Sequence, residues 1–317
     1  MSLASLVLGM FTLFVFRRGV PGMGWFVGYL LLLWLLIALI EEMRAALVSS
    51  RRFSHRALLF GVEYTIQTLS HGLLVFMLPA YWASVTLTSG NALFFGLLVG
   101  AVLLATFDPW YRALVAPRPW ASYAFLLVTV FGALNLALPL IQVRPAAAVP
   151  ASAMLAVLTL TPVVRRTSQW PWRRALLLSA GLAGAAGLGA AAGREWIPPT
   201  PLFLAHAELQ WNVGALESLE PDLGAITVSD LRRRGLVAYT AIHAPAGLRQ
   251  PIRHVWRRDG RVMDVIALSP VQGGRSEGFR TFSRKTGFAG DPIGRWSVDV
   301  VTGAGQLVGR LRFRVVP

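Results

Sequence analysis

Long apolar runs follow one another through residues 1–193 of this 317-residue chain and stop there. The run from Trp25 to Ile40, for example, holds no charged residue. The core of a lipid bilayer offers the backbone no hydrogen-bond partners, so uncharged runs of this kind are typical of transmembrane helices. From Pro201 onward, polar and apolar residues alternate and charges occur throughout. The sequence therefore predicts a polytopic membrane region joined to a water-soluble domain.

We expect a bundle of about seven transmembrane helices. The apolar runs lie near residues 3–16, 24–40, 57–78, 91–107, 120–140, 148–164 and 174–193. The first run is short for a span of about 20 residues, so its alternatives to crossing the membrane are a re-entrant or an interfacial segment. The expected domains are a helical region over residues 1–193, a proline-rich linker over 194–201 and a soluble domain over 202–317.

The arginines between the apolar runs predict the orientation of the bundle. Arginine-rich loops alternate with loops that hold one arginine or none. The rich loops are residues 41–56, 108–119 and 165–173, and the poor loops are residues 79–90 and 141–147. Cytoplasmic loops carry the excess of positive charge, so the soluble domain is expected on the opposite face, in the periplasm of a bacterial inner membrane. Arg17 and Arg18 lie on the wrong side for this orientation and weaken only the first span.

Composition excludes several classes of chemistry. The chain has no cysteine, which excludes disulfides, thiolate catalysis and cysteine-ligated metal centres. Its net charge is +15, and the soluble domain holds 15 arginines and Lys285 against 10 acidic residues. Because the acidic residues are interspersed and a membrane tether is expected, we do not expect nucleic-acid binding. No motif indicates a cofactor or a metal site.

Polar residues form one stripe inside the third predicted helix. Glu63, Gln67 and His71 follow at i, i+4 and i+8, and Ser70 lies beside them. An ionisable residue at membrane depth suggests a proton relay or a cation site. The alternative, which we favour, is a hydrogen-bonded seam that orders the bundle and meets Asn135 of the fifth helix. Glu63 and His71 lie about 12 Å apart along the helix axis, too far to share one metal ion.

The last predicted helix carries small residues at every fourth position. These residues are Gly181, Ala185, Gly189 and Gly193. Small side chains at this spacing let two helix backbones approach closely. We favour packing within the same bundle over self-association.

The soluble domain reads as a series of short strands. They are expected near residues 202–211, 236–243, 251–258, 261–268, 278–284, 294–302 and 306–315. Leu311, Phe313 and Val315 alternate with arginines, a period of two that is typical of a strand with one buried face. Asp259-Gly260 between two such runs indicates a hairpin. The expected fold is an all-β, Ig-like antiparallel sandwich.

Several spaced motifs of this domain resemble one bacterial family. The motifs are His254-Val255-Trp256, Asp259-Gly260, Gly278 to Ser283, Gly294 to Val298 and Gly305 to Phe313. Over about residues 203–316 the chain resembles the family known as domain of unknown function 2914, and its helical part resembles an uncharacterised membrane region often fused to that domain. The resemblance implies an architecture and no activity.

Two groups of polar residues are candidate sites in the soluble domain. His254 and Trp256 share one face of a strand, and His243 could approach His254 across a hairpin, with His206 as the only other histidine available to complete a metal site. We favour packed or hydrogen-bonded histidines.

The second group is a basic strand end that could engage an anionic glycan or lipid head group, although we favour a solvated face. It consists of Arg280, Ser283, Arg284 and Lys285. A catalytic triad of Ser283, His254 and Asp264 is not indicated by their spacing.

These patterns favour a non-catalytic interaction, structural or accessory protein of the bacterial envelope. Its expected partners are the lipid bilayer and an envelope protein, a glycan or an anionic lipid, within an oligomer or a larger membrane complex. The alternative is a small transporter or membrane-embedded enzyme that uses the Glu63, Gln67 and His71 stripe.

Overall fold

The computed structural model describes residues 53–115, 117–212, 218–219, 225–288 and 290–317, which belong to two compact units. The first unit is helical and includes Gly96–Ile141 and Ala147–Gly193. The second unit comprises Tyr81–Phe95, Gln142–Ala146 and Arg194–Pro317. The predicted spans at 3–16 and 24–40 lie outside the described residues.

Seven helices precede the β domain in the described part of the chain. They are α1 (Phe53–Ser84), α2 (Asn91–Thr106), α3 (Asp108–Trp110), α4 (Pro119–Leu140), α5 (Pro145–Leu158), α6 (Thr161–Thr167) and α7 (Trp172–Ala192), with a π-helical turn at Tyr111–Val115. Three helical segments are long and apolar enough to cross a membrane, namely α4, the joined α5 and α6 over Pro145–Thr167, and α7. The chain therefore contains membrane-compatible helices.

The number of such segments is smaller than expected for this part of the chain. α2 has 16 residues, about 24 Å at 1.5 Å per residue, whereas the hydrocarbon core is about 30 Å thick. α1 has 32 residues, and the polar side chains at Glu63, Gln67 and His71 interrupt its apolar run. Of the five spans expected over residues 57–193, three are thus long and apolar enough to cross a membrane, while α2 is a shorter apolar helix and α1 is a long helix of mixed polarity.

The second unit contains a β-sandwich. Its strands are β1 (Phe203–Gln210), β2 (Ser218–Leu219), β3 (Ala225–Thr227), β4 (Leu236–His243), β5 (Arg249–Gln250), β6 (Ile252–Arg258), β7 (Arg261–Ala267), β8 (Val271–Gln272), β9 (Phe279–Lys285), β10 (Gly294–Thr302) and β11 (Leu307–Val316). A four-stranded sheet has the order β2-β1-β4-β9, and a five-stranded sheet has the order β3-β11-β10-β6-β7. Buried side chains of both sheets form one hydrophobic core, while β5 and β8 pair separately.

Period-two alternation explains why these segments form strands with one buried face. Trp296, Val298 and Val300 of β10 are buried in the core, and Leu311, Phe313 and Val315 of β11 join them. The residues between them point to the other face of the sheet, as the pleat requires. The seven predicted strands match β1, β4, β6, β7, β9, β10 and β11 to within two residues at each end.

Two features of the sandwich differ from the sequence expectation. β3 pairs with β11 in parallel, so the antiparallel prediction is wrong for this pair. No hairpin joins these strands, which lie about eighty residues apart in the sequence, so no tight turn sets their relative direction. A short helix, α8 (Val228–Arg234), follows β3. Its N-cap is Thr227, whose hydroxyl accepts a hydrogen bond from the Asp230 amide at 3.2 Å.

The second unit also contains two of the connections between helices. The side-chain amide of Asn91, at the start of α2, donates to the Leu307 carbonyl at 3.3 Å. Trp196 packs so closely on Gly90 that a Cβ there would lie 2.8 Å from the indole. These connections lie within residues 79–90, which hold no arginine, and residues 141–147, which hold one.

Candidate functional site

The polar stripe of α1 forms hydrogen bonds with α2. Gln67 and His71 are buried, at 8% and 7% exposure. The Gln67 amide donates to the Ala105 carbonyl at 3.4 Å, and His71 Nε2 lies 2.9 Å from the Thr106 hydroxyl. That hydroxyl donates to the Val102 carbonyl at 2.8 Å, so His71 Nε2 is the donor to Thr106. These bonds give Gln67 and His71 a structural role between two helices.

The other members of the predicted stripe are Ser70, Asn135 and Glu63. Ser70 is buried, and its hydroxyl has no hydrogen-bond partner among the described residues. Asn135 is buried on α4. Glu63 lies in α1, and its side chain lies outside the described part of the structure. Its role as a relay or as a seam residue stays a prediction.

The small-residue faces of α7 differ in how they pack. Ala175, Ser179, Ala183 and Gly187 form its buried face. A Cβ at Gly187 would lie 2.7 Å from Met154 of α5, so this face brings α7 and α5 into close contact. The small-residue face predicted from the sequence lies next to this buried face of α7. Gly181, Ala185 and Gly189 are exposed there, Gly193 lies at the helix end, and a Cβ at Gly181 or Gly189 would meet no described residue within 4 Å.

The β-sandwich holds its most connected polar cluster in the core between the two sheets. His254 of β6 is 0% exposed. Its Nδ1 lies 2.8 Å from the Ser283 hydroxyl of β9, and its Nε2 lies 3.2 Å from the Thr240 hydroxyl of β4. The indole of Trp256 donates to Ser283 at 3.1 Å. These contacts join the two predicted motifs, His254-Val255-Trp256 and the strand that ends in Ser283, across the interior.

The hydrogens of this cluster can be placed in one consistent direction. Trp256 Nε1 can only donate, so the Ser283 oxygen accepts from it and donates its own hydrogen to His254 Nδ1. His254 is then the neutral Nε2–H tautomer, and it donates to Thr240. The Thr240 hydroxyl in turn donates to the Thr281 carbonyl at 3.5 Å. The cluster is therefore satisfied without any bound group, which is the condition for keeping polar atoms in a core.

Burial keeps His254 neutral. Desolvation lowers the pKa of His254 from 6.5 to about 4, because an imidazolium would lose its hydration in the core. The Nδ1 atom faces serine rather than a carboxylate, so no nearby acid offsets this effect.

The Ser283–His254 pair is not a hydrolase site. Both residues are at or below 2% exposure, so no substrate carbonyl reaches the hydroxyl. In a catalytic triad the carboxylate orients Nδ1 and the nucleophile faces Nε2, whereas here serine occupies Nδ1 and threonine occupies Nε2. Asp264 instead forms an ion pair with Lys285 at 2.8 Å, and the hydrogen bond from Lys285 lowers the pKa of Asp264.

The other two histidines of the domain lie in different surroundings. His243 does not approach His254 across a hairpin, because β4 and β6 belong to different sheets. Its ring stacks on Phe203 at 4.6 Å, and burial lowers the pKa of His243. His206 lies on β1 with Glu208 at 3.3 Å. Among the described residues, no group of three potential metal ligands comes together.

The predicted basic strand end is only partly a free surface. Ser283 points into the core, and Lys285 is paired with Asp264. Arg280 and Arg284 are exposed, and Arg284 donates to the Arg234 carbonyl at 3.3 Å. The four residues therefore do not form one site.

A larger basic surface lies on the outer face of the five-stranded sheet, which we call the arginine face. It consists of Arg253, Arg257, Arg295, Arg310, Arg312 and Arg314. The alternation along β11 is visible in the sequence, but this surface is not, because the register that brings β6, β10 and β11 together is a property of the folded sheet.

Two family models match this chain. The model of a family of unknown function, DUF5924, matches residues 1–238, three quarters of the chain, and the chain belongs to this family. A second family model, described as protein of unknown function DUF2914, matches residues 249–315. This match confirms the C-terminal resemblance, over a shorter range than the expected 203–316. No curated protein and no solved structure matches the chain.

The boundary between the two family matches does not coincide with a fold boundary. The first match ends within β4, and the second begins at β5. The four-stranded sheet takes β1, β2 and β4 from the region before the second match and only β9 from within it.

Proposed function

We propose that this protein is a multi-pass protein of the bacterial inner membrane that presents its β-sandwich in the periplasm as a non-catalytic interaction or accessory module. About seven spans and an Ig-like sandwich are part of this proposal. Three membrane-compatible helical segments support the membrane location. The domain is expected to contact an envelope protein, a glycan or an anionic lipid, within an oligomer or a larger complex.

The observation that carries the proposal is the burial of the His254, Ser283 and Trp256 cluster. These residues have the chemical types expected of a site, yet they form a closed hydrogen-bond chain inside the core. Folding therefore accounts for the motifs that carry the family resemblance. The outer faces of the two sheets are then the surfaces available for binding, as expected of a domain that binds a partner.

The arrangement of the connections supports the proposed orientation. The arginine-poor connections, 79–90 and 141–147, belong to the same compact unit as the sandwich. If they are periplasmic, as the arginine distribution of the loops predicts, the sandwich is periplasmic as well.

Site-specific photo-cross-linking in living cells tests the interaction. A photo-reactive amino acid at Phe282, which is 46% exposed on β9, or at Val262, which is 51% exposed on β7, should give adducts with a partner. The same amino acid at Val298, which is 0% exposed, is the matched control and should give none. Adducts at neither exposed position would count against an interaction module.

The Glu63→Gln variant separates this proposal from a transporter or membrane-embedded enzyme. The seam described above needs a hydrogen-bonding side chain, which glutamine provides, but no proton exchange. We therefore expect the variant to be as abundant as the wild type and to complement a deletion strain. Loss of complementation at normal abundance would support the alternative function.

A further inference from the structure

The arginine face surrounds a carboxylate, that of Asp299, whose contacts are instructive. Asp299 of β10 is 3% exposed. It accepts from Arg310 Nη2 at 2.8 Å and from Arg310 Nε at 2.5 Å, on its two different oxygens. Arg257 Nε donates to it at 3.0 Å. Two planar guanidinium groups thus hold one carboxylate, the charge-assisted geometry that arginine is suited to form.

The neighbouring part of the face repeats this arrangement without the acid. Arg295 of β10 lies directly opposite Arg314 of β11, and Ser297 lies opposite Arg312. All three arginines are exposed, and none forms an ion pair with a carboxylate among the described residues. Like charges directly opposite each other destabilise a sheet. Ser297, two residues before Asp299 on the same face, stands where a second acid would relieve this repulsion.

We propose that the arginine face docks an acidic polypeptide segment of a partner protein, with a carboxylate of the partner seated over Ser297 among Arg295, Arg312 and Arg314. This inference rests on the proposed function, because it names the chemistry of the partner.

The spacing of the arginines favours an extended acidic segment. Arg312 and Arg314 lie two residues apart on β11, which spaces them by about 7 Å. An extended peptide with an acidic residue at every second position has the same period. Exposed Val262 and Val265 of β7 lie on this outer face and add an apolar border, which suits a polypeptide better than a phosphate polymer.

Peptide binding to the full-length protein in zwitterionic-lipid nanodiscs tests the proposal. The probe is a fluorescent peptide of alternating glutamate and threonine, followed by anisotropy. We expect binding that weakens strongly between about 0.1 M and about 1 M salt, where the Debye length falls from about 10 Å to about 3 Å. A peptide with glutamine in place of glutamate should not bind.

Two variants locate the binding surface, and a third is their control. The triple substitution R295Q/R312Q/R314Q should weaken peptide binding about tenfold to a hundredfold. Ser297→Asp should abolish it, because the new side chain occupies the predicted seat, and it should not destabilise the sandwich. The control is R275Q/R280Q/R284Q, which removes the same charge from exposed positions outside the arginine face and should change binding less than about twofold.

Three outcomes would overturn the proposal. The first is equal loss of binding in both triple variants, which would show attraction to net charge alone. The second is binding in the presence of Ser297→Asp. The third is arginine-dependent binding of anionic phospholipid vesicles but not of the glutamate peptide, which would assign the face to lipid. None of these outcomes decides the proposed function, which is tested separately by cross-linking at the exposed positions of the sandwich.

Discussion

At the scale of single residues, His254 couples the stability of the sandwich to pH. Its pKa is about 4 in the folded protein and 6.5 in the reference state. The unfolded chain therefore binds more protons between these values, and the stability that is present above pH 6.5 is lost as the pH falls towards 4. We expect a loss of about 3 kcal/mol over this window, measured by urea unfolding of the full-length protein.

The pH dependence should follow His254 rather than the other histidines. In the His254→Gln variant the unfolding free energy should change far less between pH 6.5 and 4, although the variant is less stable throughout. His206→Gln is the control, because His206 is exposed on β1 and lies outside the buried cluster. An unchanged pH dependence in His254→Gln would contradict the placement of a neutral imidazole in the core.

Ser283 contacts both His254 and Trp256 in the same cluster. Ser283→Ala leaves the Trp256 indole and His254 Nδ1 without their partner in the core. We expect a loss of about 2 kcal/mol in the free energy of unfolding, the usual effect of an unsatisfied buried polar group. Ser276→Ala is the control, since Ser276 is exposed and its substitution should cost less than about 0.5 kcal/mol. Equal effects of the two substitutions would argue against the network.

The sequence indicated the members of this cluster but not their contacts. His254 and Trp256 stood out by their spacing on one strand, and Ser283 by its place in a motif. Spacing along a strand shows which residues share a face, but the pairing of faces across the core depends on which sheet each strand joins. For this reason His243 was expected near His254, whereas Thr240 and Ser283 occupy that position.

At the scale of elements, Asp299 ties three strands together. It joins β10 to Arg257 of β6 and to Arg310 of β11, and its hydrogen bond with Arg310 raises the pKa of that arginine. Asp299→Asn removes the charge and leaves two guanidinium groups facing each other. We expect a loss of about 2 kcal/mol in the free energy of unfolding, below the value for a fully buried pair because both arginines are partly exposed.

Asp264→Asn provides the matched comparison. Asp264 pairs with Lys285, but its side chain is 41% exposed. Its substitution should cost less than about 1 kcal/mol, as for most surface ion pairs. A larger effect for Asp264→Asn than for Asp299→Asn would show that the acid in the arginine face is not a structural tie.

Strands were easier to predict than helices in this chain. Period-two alternation gave seven of the strands because it reflects one buried face, which is a local property. The apolar runs gave the positions of the helices, but only three of the described helical segments are long and apolar enough to span a membrane. α2 has only 16 residues, and α1 carries Glu63, Gln67 and His71 at intervals of four residues. The two-residue strands and α8 had too few residues to show a period.

At the scale of the whole molecule, the sandwich needs residues from both family matches. Core side chains such as Leu209, Leu236 and Ile242 come from β1 and β4, before the second match. We expect a fragment of residues 249–317 to be unfolded in solution by circular dichroism and a fragment of residues 201–317 to fold. A folded shorter fragment would mean that the four-stranded sheet is dispensable.

The location of the sandwich is the central claim, and the absence of cysteine allows it to be tested directly. A single Ser276→Cys substitution places a thiol at an exposed position of the β domain. We expect a membrane-impermeant maleimide to label this thiol in cells with a permeabilised outer membrane and an intact inner membrane. Labelling only after the inner membrane is broken would place the domain in the cytoplasm and contradict the account.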